Sequence, residues 1–357
     1  MTAQISTPKQ STRNMVMECT KLVASFFVLF IHVSFPGQFG HLVNCIATMA
    51  VPMFFMISGY FNYGASCAAI RRRTLHIAKL LLGGTLLYIL WSCVSTELAG
   101  GSTIAYLRAA LILDSIEITN WIILHIHPYA GHLWYLNAIL LCYLCFWGYT
   151  RFFPEKEVDY RPFYFLCLIL LVLFLLYGVI MPADGSNSTG LSIRNGWVFG
   201  LPMFGLGMFL RQYQDRIFSA YRLTSGKLLL IFFGGIAFGL FQWRTTGIGM
   251  IPFGMFFAIV AWMLWMISHP TIPVKSKAAK TVILSFGPIS TWIYISHLMF
   301  GMLYGQLLQE PLTARFGTAE PWLQPVVVLG MSFFASALFV SLQKYLRKIA
   351  KYPHPAR

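Results

Sequence analysis

Residues 163–180 read FYFLCLILLVLFLLYGVI, a stretch without a single charged side chain. An apolar stretch of about 18 or more residues is typical of a helix that crosses a lipid bilayer. Similar stretches recur along the chain, in which 57% of the residues are hydrophobic and 10% are charged, with a mean hydropathy of +0.68. Soluble domains carry about 25% charged residues. The composition therefore excludes a soluble protein, a disordered chain and a coiled coil.

The apolar stretches also decide the type of membrane protein. Strands of a membrane barrel alternate apolar and polar residues, whereas these stretches are unbroken, and a helix satisfies its own backbone in lipid. We predict an all-α integral membrane protein with ten transmembrane helices and an amphipathic or re-entrant segment at 103–125 in an outer loop. The predicted spans are 16–36, 42–63, 76–98, 131–150, 162–181, 195–211, 227–243, 249–268, 281–305 and 322–345.

Basic residues orient these spans. The chain has 26 Lys and Arg against 11 Asp and Glu, a net charge of +15. In a membrane protein such an excess indicates basic cytoplasmic loops rather than a nucleic-acid partner. With ten spans, 21 basic residues fall on one side and 4 on the other, which predicts that both termini are cytoplasmic. We expect tails at 1–15 and 349–357, a membrane domain at 16–348, and a first apolar stretch that is retained as a span.

The first span carries three ionisable residues, Glu18, Lys21 and His32. Ionisable groups inside a span are costly and mark functional sites. Spacings of 3 and 11 place all three on one helix face. Glu18 and Lys21 could equally lie at the headgroup boundary and extend their charges to water, whereas His32 lies deeper, about 20 Å from Glu18 along the helix.

Other histidines lie at or near predicted spans. His297 lies inside the ninth span, and His132 opens the fourth, shortly after His125 and His127 in the outer loop. The spacing of these residues fits no metal motif, so we expect no metal site. His125 and His127 are expected in a wet interfacial loop. The seven cysteines, including the pair Cys142 and Cys145, are expected as small buried hydrophobic residues.

A basic cluster follows the second span: Arg71, Arg72 and Arg73, with His76 and Lys79 continuing onto the third. These residues could hold the loop on the cytoplasmic side. They could also bind the phosphates of a cytosolic ligand, because guanidinium groups match phosphate oxygens. The residues alone leave both interpretations open.

The order of these features resembles the acyltransferase-3 family of bacterial integral-membrane acyltransferases, over nearly the whole chain. The most specific segment is VPMFFMISGYF at 51–61, similar to the family pattern PxFFxISGYL. The other matching segments are Lys21 followed by IHV at 31–33, GHLWYL at 131–136, SFG at 285–287 and IYISH at 293–297. One departure concerns the pattern RxxR, which many members carry at the junction of the second and third spans. Here the sequence after Arg73 has His76 at the position of the second arginine.

This resemblance implies a ten-helix fold in the bacterial cytoplasmic membrane and the transfer of an acyl group, usually acetyl. The implied donor is cytosolic acetyl-CoA or another acyl-CoA. The implied acceptor is a hydroxyl of a cell-envelope glycan or lipid-linked sugar. His32 matches the histidine that the family uses for catalysis, Lys21 matches the basic residue before it, and Glu18 stands where an Asp is more common.

We expect the nucleotide end of the donor near Arg71, Arg72, Arg73, His76 and Lys79, and the thioester at His32. His32 would act as a general base or carry the acyl group covalently. We expect the acceptor beside His132, Trp134, Tyr294 and His297. The alternatives are a transporter or flippase of envelope intermediates, which polar residues in spans serve equally well, and a non-catalytic sensor. Composition carries no information on the oligomeric state.

Overall fold

A computed structural model describes residues 13–153, 158–180, 195–246 and 251–351, and within these ranges every regular element is a helix. Residues 182–194, between the fifth and sixth predicted spans, and most of both predicted tails lie outside the described residues. The principal helices are α1 Met15–His32, α2 Gly37–Ala47, α3 Ala50–Asn62, α4 Cys67–Leu98, α5 Thr103–Ala110, α6 Ser115–Thr119, α7 Trp134–Thr150, α8 Arg161–Ile180, α9 Leu201–Tyr221, α10 Ser225–Thr246, α11 Phe253–Ser268, α12 Lys277–Ile283, α13 Phe286–Leu307, α14 Gln309–Phe316 and α15 Glu320–Lys351.

In the described ranges, 7 helical segments are long and apolar enough to cross a membrane: 15–32, 37–62, 67–98, 131–150, 225–246, 277–307 and 309–350. Each of them overlaps a predicted span. The remaining predicted spans coincide with α8, α9 and α11, which are helical but shorter in their apolar part or, in α9, interrupted by charged residues. The chain is thus an all-helical, multi-pass membrane protein, while ten crossings and cytoplasmic termini stay predictions.

Helix boundaries differ from the prediction in three places. The second span is built from two helices, α2 and α3, which meet at Thr48 and Met49. The third begins at Cys67 rather than 76, where the Ser66 hydroxyl accepts a hydrogen bond from the Ala69 amide and caps the helix. The basic cluster therefore lies on the first turns of α4 and not in a loop. The segment 103–125 forms two short helices and one wide π-type turn at Asn120–Leu124.

One face of α4 is both apolar and exposed. Leu82, Leu86, Leu90, Val94 and Leu98 follow at intervals of four residues, and each is at least half exposed. Residues four apart lie on one helix face. An apolar stripe this long would be unstable in water, so it is the surface that faces lipid.

Helices α3 and α9 approach each other so closely that two glycines are required. A Cβ at Gly59 would lie 1.8 Å from the carbonyl oxygen of Phe204, and one at Gly207 would lie 2.0 Å from the carbonyl oxygen of Met56. Backbone atoms cannot move aside as a flexible side chain can. These reciprocal contacts hold α9 against the helix that carries VPMFFMISGYF.

We predict that Gly207→Ala lowers the free energy of unfolding by about 1–3 kcal/mol, the usual cost of overpacking. The matched control is Gly83→Ala on α4, because a Cβ there meets nothing within 4 Å. The control should be neutral or stabilising by up to about 1 kcal/mol, since Ala is the better helix former. Thermal unfolding in detergent measures both, and equal midpoints would contradict the close packing of α3 and α9.

Candidate active site

Three histidines that are far apart in the sequence meet in the structure. The ring centroids of His32 and His297 lie 5.2 Å apart, those of His132 and His297 4.9 Å, and those of His32 and His132 6.3 Å. His32 is the last residue of α1, His132 lies in the turn Gly131–Leu133 before α7, and His297 lies within α13. We call these residues the histidine cluster. The packing of α13 against α1 brings them together.

Hydrogen bonds to backbone carbonyls assign the tautomers of the two buried histidines. His297 Nδ1 lies 2.8 Å from the carbonyl oxygen of Tyr294, and His132 Nε2 lies 3.2 Å from that of Ile295. A carbonyl oxygen only accepts, so these nitrogens carry the protons. In the neutral rings His297 Nε2 and His132 Nδ1 are then acceptors. Both are buried and, within the described chain, neither has a hydrogen-bond partner. Buried polar atoms left in this way are uncommon, and each is a position where water or a ligand could donate a hydrogen bond.

Two tyrosines hold the cluster in place. The hydroxyl of Tyr88 donates to the carbonyl oxygen of Ile295 at 2.9 Å and accepts from the amide of Met299 at 3.2 Å. It thereby bridges a carbonyl and an amide that are one helical turn apart in α13. The hydroxyl of Tyr294 donates to the carbonyl oxygen of His132. These bonds tie α4, the turn before α7 and α13 into one unit.

The histidine cluster lies at a cavity of about 250 Å³, which we call the histidine cavity. Small-molecule sites occupy about 300–1,000 Å³, so this one suits a group the size of a single sugar. His32 is an exposed residue and forms part of the wall, whereas His297 is fully buried and lies behind it. The polar and aromatic residues of the wall are His32, His41, Asn44, Thr48, His132, Trp134, Tyr135, Phe199, Trp243 and Tyr294.

Four of the residues expected around the acceptor are thus close together: His132, Trp134 and Tyr294 line the cavity, and His297 supports it. Sequence reasoning missed His41, Asn44, Trp243 and Tyr88. Trp243 precedes Arg244 at the end of an apolar stretch, a pattern typical of an interfacial residue. Tyr88 lies in the middle of an apolar stretch, where its sequence gives no sign of a partner on α13.

Glu18 and Lys21 lie near the other end of α1. Lys21 Nζ is 3.2 Å from Glu18 Oε1, and Arg13 Nη2 is 3.7 Å from the same atom. The expected pairing on one helix face is therefore present. Fourteen residues separate Glu18 from His32, about 21 Å along the helix, so the structure does not bring the pair to the histidine cluster. Glu18 is buried against Gly287, where a Cβ would lie 2.0 Å from Glu18 Oε2.

The basic cluster divides into one structural and several exposed residues. Arg73 donates from Nη1 to the carbonyl oxygen of Phe61 at 2.7 Å and to Asn62 Oδ1 at 2.9 Å, which ties α4 to the end of α3. The other four members, Arg71, Arg72, His76 and Lys79, are exposed. The ring of Phe61 also lies 5.6 Å from Lys21 Nζ, so the basic cluster and the Glu18–Lys21 pair share one end of the protein.

His125 and His127 are buried, so the expectation of a wet interfacial loop was wrong for both. His127 Nδ1 accepts from the amides of Tyr129 and Ala130 at 3.3 and 3.2 Å, and Nε2 donates to the Thr85 hydroxyl at 2.9 Å. His125 Nδ1 accepts from the Gly196 amide at 3.3 Å. These bonds hold the loop against α4 and against the π-helical turn Gly196–Gly200, which precedes α9. Across the described ranges, no group of three or more His, Cys, Asp or Glu side chains is arranged to hold a metal ion.

The geometry defines a class of protein: a multi-pass helical membrane protein with a histidine cluster at a small cavity and a basic cluster at the far end of the same bundle. A family profile described as an acyltransferase domain, that of the acyltransferase-3 family, matches residues 16–341. The chain belongs to this family and is a membrane acyltransferase. Comparison with curated proteins and with solved structures finds no significant match.

We predict that the loop carrying His125 and His127 loosens in acid. Burial lowers the pKa of both His125 and His127 to about 4 from the usual 6.5. The unfolded chain therefore binds more protons between these values. The contribution of each ring to stability is complete above pH 6.5 and is lost as the pH falls towards 4, on the order of 1 kcal/mol per pH unit.

Thermal midpoints of the wild type and His127→Gln, measured between pH 7.5 and 5, check this prediction. Glutamine can replace a hydrogen bond but does not titrate, so the midpoint of the variant should depend less on pH. His269→Gln serves as a control because His269 lies outside this loop. Equal pH slopes in the wild type and His127→Gln would contradict the assignment.

Proposed function

We propose that this membrane acyltransferase moves an acyl group, usually acetyl, from cytosolic acyl-CoA to a hydroxyl of a cell-envelope sugar or glycan. The observation that carries the proposal is the position of His32, exposed at the histidine cavity and backed by His132 and His297. Family membership favours this activity over a transporter or flippase, which would need an acceptor path but no acyl donor.

In the proposed reaction, the His32 imidazole takes the proton of the acceptor hydroxyl as the oxygen attacks the thioester carbonyl. The new C–O bond forms, the C–S bond breaks, and the thiolate of CoA receives the proton from the imidazolium. A positioned base of this kind contributes about 10²–10⁴-fold to a rate. In the alternative route, a ring nitrogen of His32 attacks the thioester carbonyl, the C–S bond breaks, and CoA leaves as the thiol with the N–H proton of the ring. The acceptor hydroxyl then attacks the acyl-imidazole, the C–N bond breaks, and the imidazole takes the hydroxyl proton.

The supporting histidines suit either route. His297 Nε2 and His132 Nδ1 are acceptors when the rings are neutral. The centroids of these two rings lie 5.2 Å and 6.3 Å from the centroid of the His32 ring. An imidazolium that forms at His32 during the reaction is therefore close to two lone pairs. The aromatic faces of Trp134, Trp243 and Tyr294 give the wall of the cavity a surface on which a sugar ring can stack.

The donor is proposed to bind at the basic cluster. Arg71, Arg72, His76 and Lys79 are exposed and can meet the phosphates of CoA, because charge-assisted hydrogen bonds to phosphate are among the stronger ones in proteins. Arg73 supports this surface by holding α4 against α3. Glu18 and Lys21 are proposed as groups that position the donor. In this arrangement the protein lies in a bacterial cytoplasmic membrane with the basic cluster inside.

We expect His32→Ala to lower acyl transfer by about 10²-fold or more, the contribution of a lost general base, with unchanged membrane insertion. His269→Gln, at the opposite end of the bundle, is the matched control. The measurement follows radiolabelled acetyl-CoA with purified protein in nanodiscs, counting thioester loss and transferred label. Full activity in His32→Ala would defeat the assignment. Label retained on the wild type and absent from His32→Ala would indicate the acyl-imidazole route.

We expect Arg71→Ala to raise the KM for acetyl-CoA by about tenfold through the loss of one charge-assisted contact with phosphate. Because Arg71 is exposed, the thermal unfolding midpoint of Arg71→Ala should equal that of the wild type. Arg73→Ala should lower the midpoint as well, since it removes bonds to α3. Arg216→Ala, an exposed arginine on α9, is the control. A wild-type KM in Arg71→Ala would remove this residue from the donor site.

A further inference from the structure

A second cavity, of about 340 Å³, lies next to the histidine cavity, on the side of it that faces the Glu18 end of α1. It lies between α1, α3 and the hairpin of α10 and α11, and we call it the α1 groove. Its wall includes Val23, Phe27, Met49, Met53, Phe232 and Trp262. On α1 it extends from Val16 to Phe27, a length of about 16 Å.

The α1 groove and the histidine cavity are neighbours along two helices. On α1, Ala24 lines the groove, and Val28, one turn later, lines the cavity. On α3, the successive residues Ala50 and Val51 line the groove and the cavity. Ala24 and Ala50 are small and buried, so only methyl side chains stand on the groove side of the boundary between the two volumes. A linear molecule with its reacting end at His32 would enter the groove by crossing this boundary.

The wall of the groove selects for hydrocarbon. Among the described residues that line it, the only hydroxyl belongs to Thr20, which already accepts a hydrogen bond from Trp262 Nε1 at 3.2 Å. An amide placed there without a partner would cost about 1–3 kcal/mol. The pantetheine arm of a CoA donor contains such amides, whereas each CH₂ group of a hydrocarbon gains about 0.8 kcal/mol when it leaves water.

We propose that the α1 groove binds the hydrocarbon chain of a lipid-linked acceptor whose hydroxyl-bearing headgroup occupies the histidine cavity. This inference rests on the proposed function. With the basic cluster inside, the headgroup lies towards the outer face and the chain extends towards the membrane centre, as in a lipid of the outer leaflet. A donor bound at the basic cluster would reach His32 from the Glu18 end of α1. A long acyl chain on that donor would therefore have to reverse direction at His32 in order to enter the groove. Val23, 49% exposed at the edge of the groove, leaves an entry from the bilayer.

The test uses n-decyl glucoside with a diazirine near the end of its chain as the probe. The probe is added to the full-length protein in nanodiscs, activated by light, and located by peptide mass spectrometry. Ala24→Leu fills the junction. Val23→Trp blocks the entry and, at a half-exposed position, places no bulk in the core. Ala237→Leu is the matched control, because Ala237 is exposed on α10 and lines neither cavity.

In the wild type we expect label on groove residues such as Met49 and Met53. Ala24→Leu and Val23→Trp should each reduce this label by about tenfold, the effect of about 1.4 kcal/mol of lost affinity. Ala237→Leu should leave it unchanged, and label on Leu230, which faces lipid on α10, should be the same in all four proteins. Thermal midpoints establish that the variants are folded.

Two results would overturn the inference. The first is label spread evenly over lipid-facing helices, or groove label that neither blocking variant reduces. The second is stronger groove label from a long-chain acyl-CoA with the same diazirine, which would assign the groove to the donor. Photolabelling requires no turnover, so its failure leaves His32-dependent transfer standing. Conversely, a labelled groove in a protein without His32-dependent transfer would count against the proposed function alone.

Discussion

The carbonyl oxygen of Ile295 is the point on which the candidate active site depends. It accepts hydrogen bonds from His132 Nε2 and from the Tyr88 hydroxyl, and so joins the turn before α7, helix α4 and helix α13 at one atom. The bond to His132 fixes which ring nitrogen carries the proton and leaves the other as an acceptor beside His297. In the low dielectric of a protein interior such bonds are strong, and groups left without them are costly.

The charged residues and the histidine cluster lie at opposite ends of α1. Arg13, Glu18, Lys21 and the basic cluster lie at one end of the bundle, and the histidine cluster lies about 20 Å away along α1, where imidazoles, amides and aromatic rings line the cavity. Burying formal charges in surroundings of low dielectric is expensive, so the histidine cavity favours reacting groups that can be neutral. The thioester and the hydroxyl of the proposed donor and acceptor meet this requirement, whereas the phosphates of a nucleotide must remain at the surface.

Hydropathy and motif order predicted the helical membrane fold, the face shared by Glu18 and Lys21, and the grouping of His32, His132 and His297 through a family resemblance. These features depend on local patterns of residues. Tyr88, His41 and Trp243 could not be predicted, because their roles arise from contacts between helices that are distant in the sequence. His125 and His127 were misjudged for the same reason, because their burial depends on contacts with Gly196 and with Thr85 of α4, which are distant in the sequence.

Glycine contacts also determine how the molecule can deform. A Cβ at Gly254 would lie 2.4 Å from the carbonyl oxygen of Gly235, so α10 and α11 interlock backbone to backbone, as α3 and α9 do around Gly59 and Gly207. Within each pair, the two helices have little room to move relative to each other. The wall of the histidine cavity is shared between them, since Trp243 belongs to the hairpin and Val51 to α3. A change in the width of the cavity therefore requires one helix pair to move relative to the other, because close backbone contact resists movement within each pair.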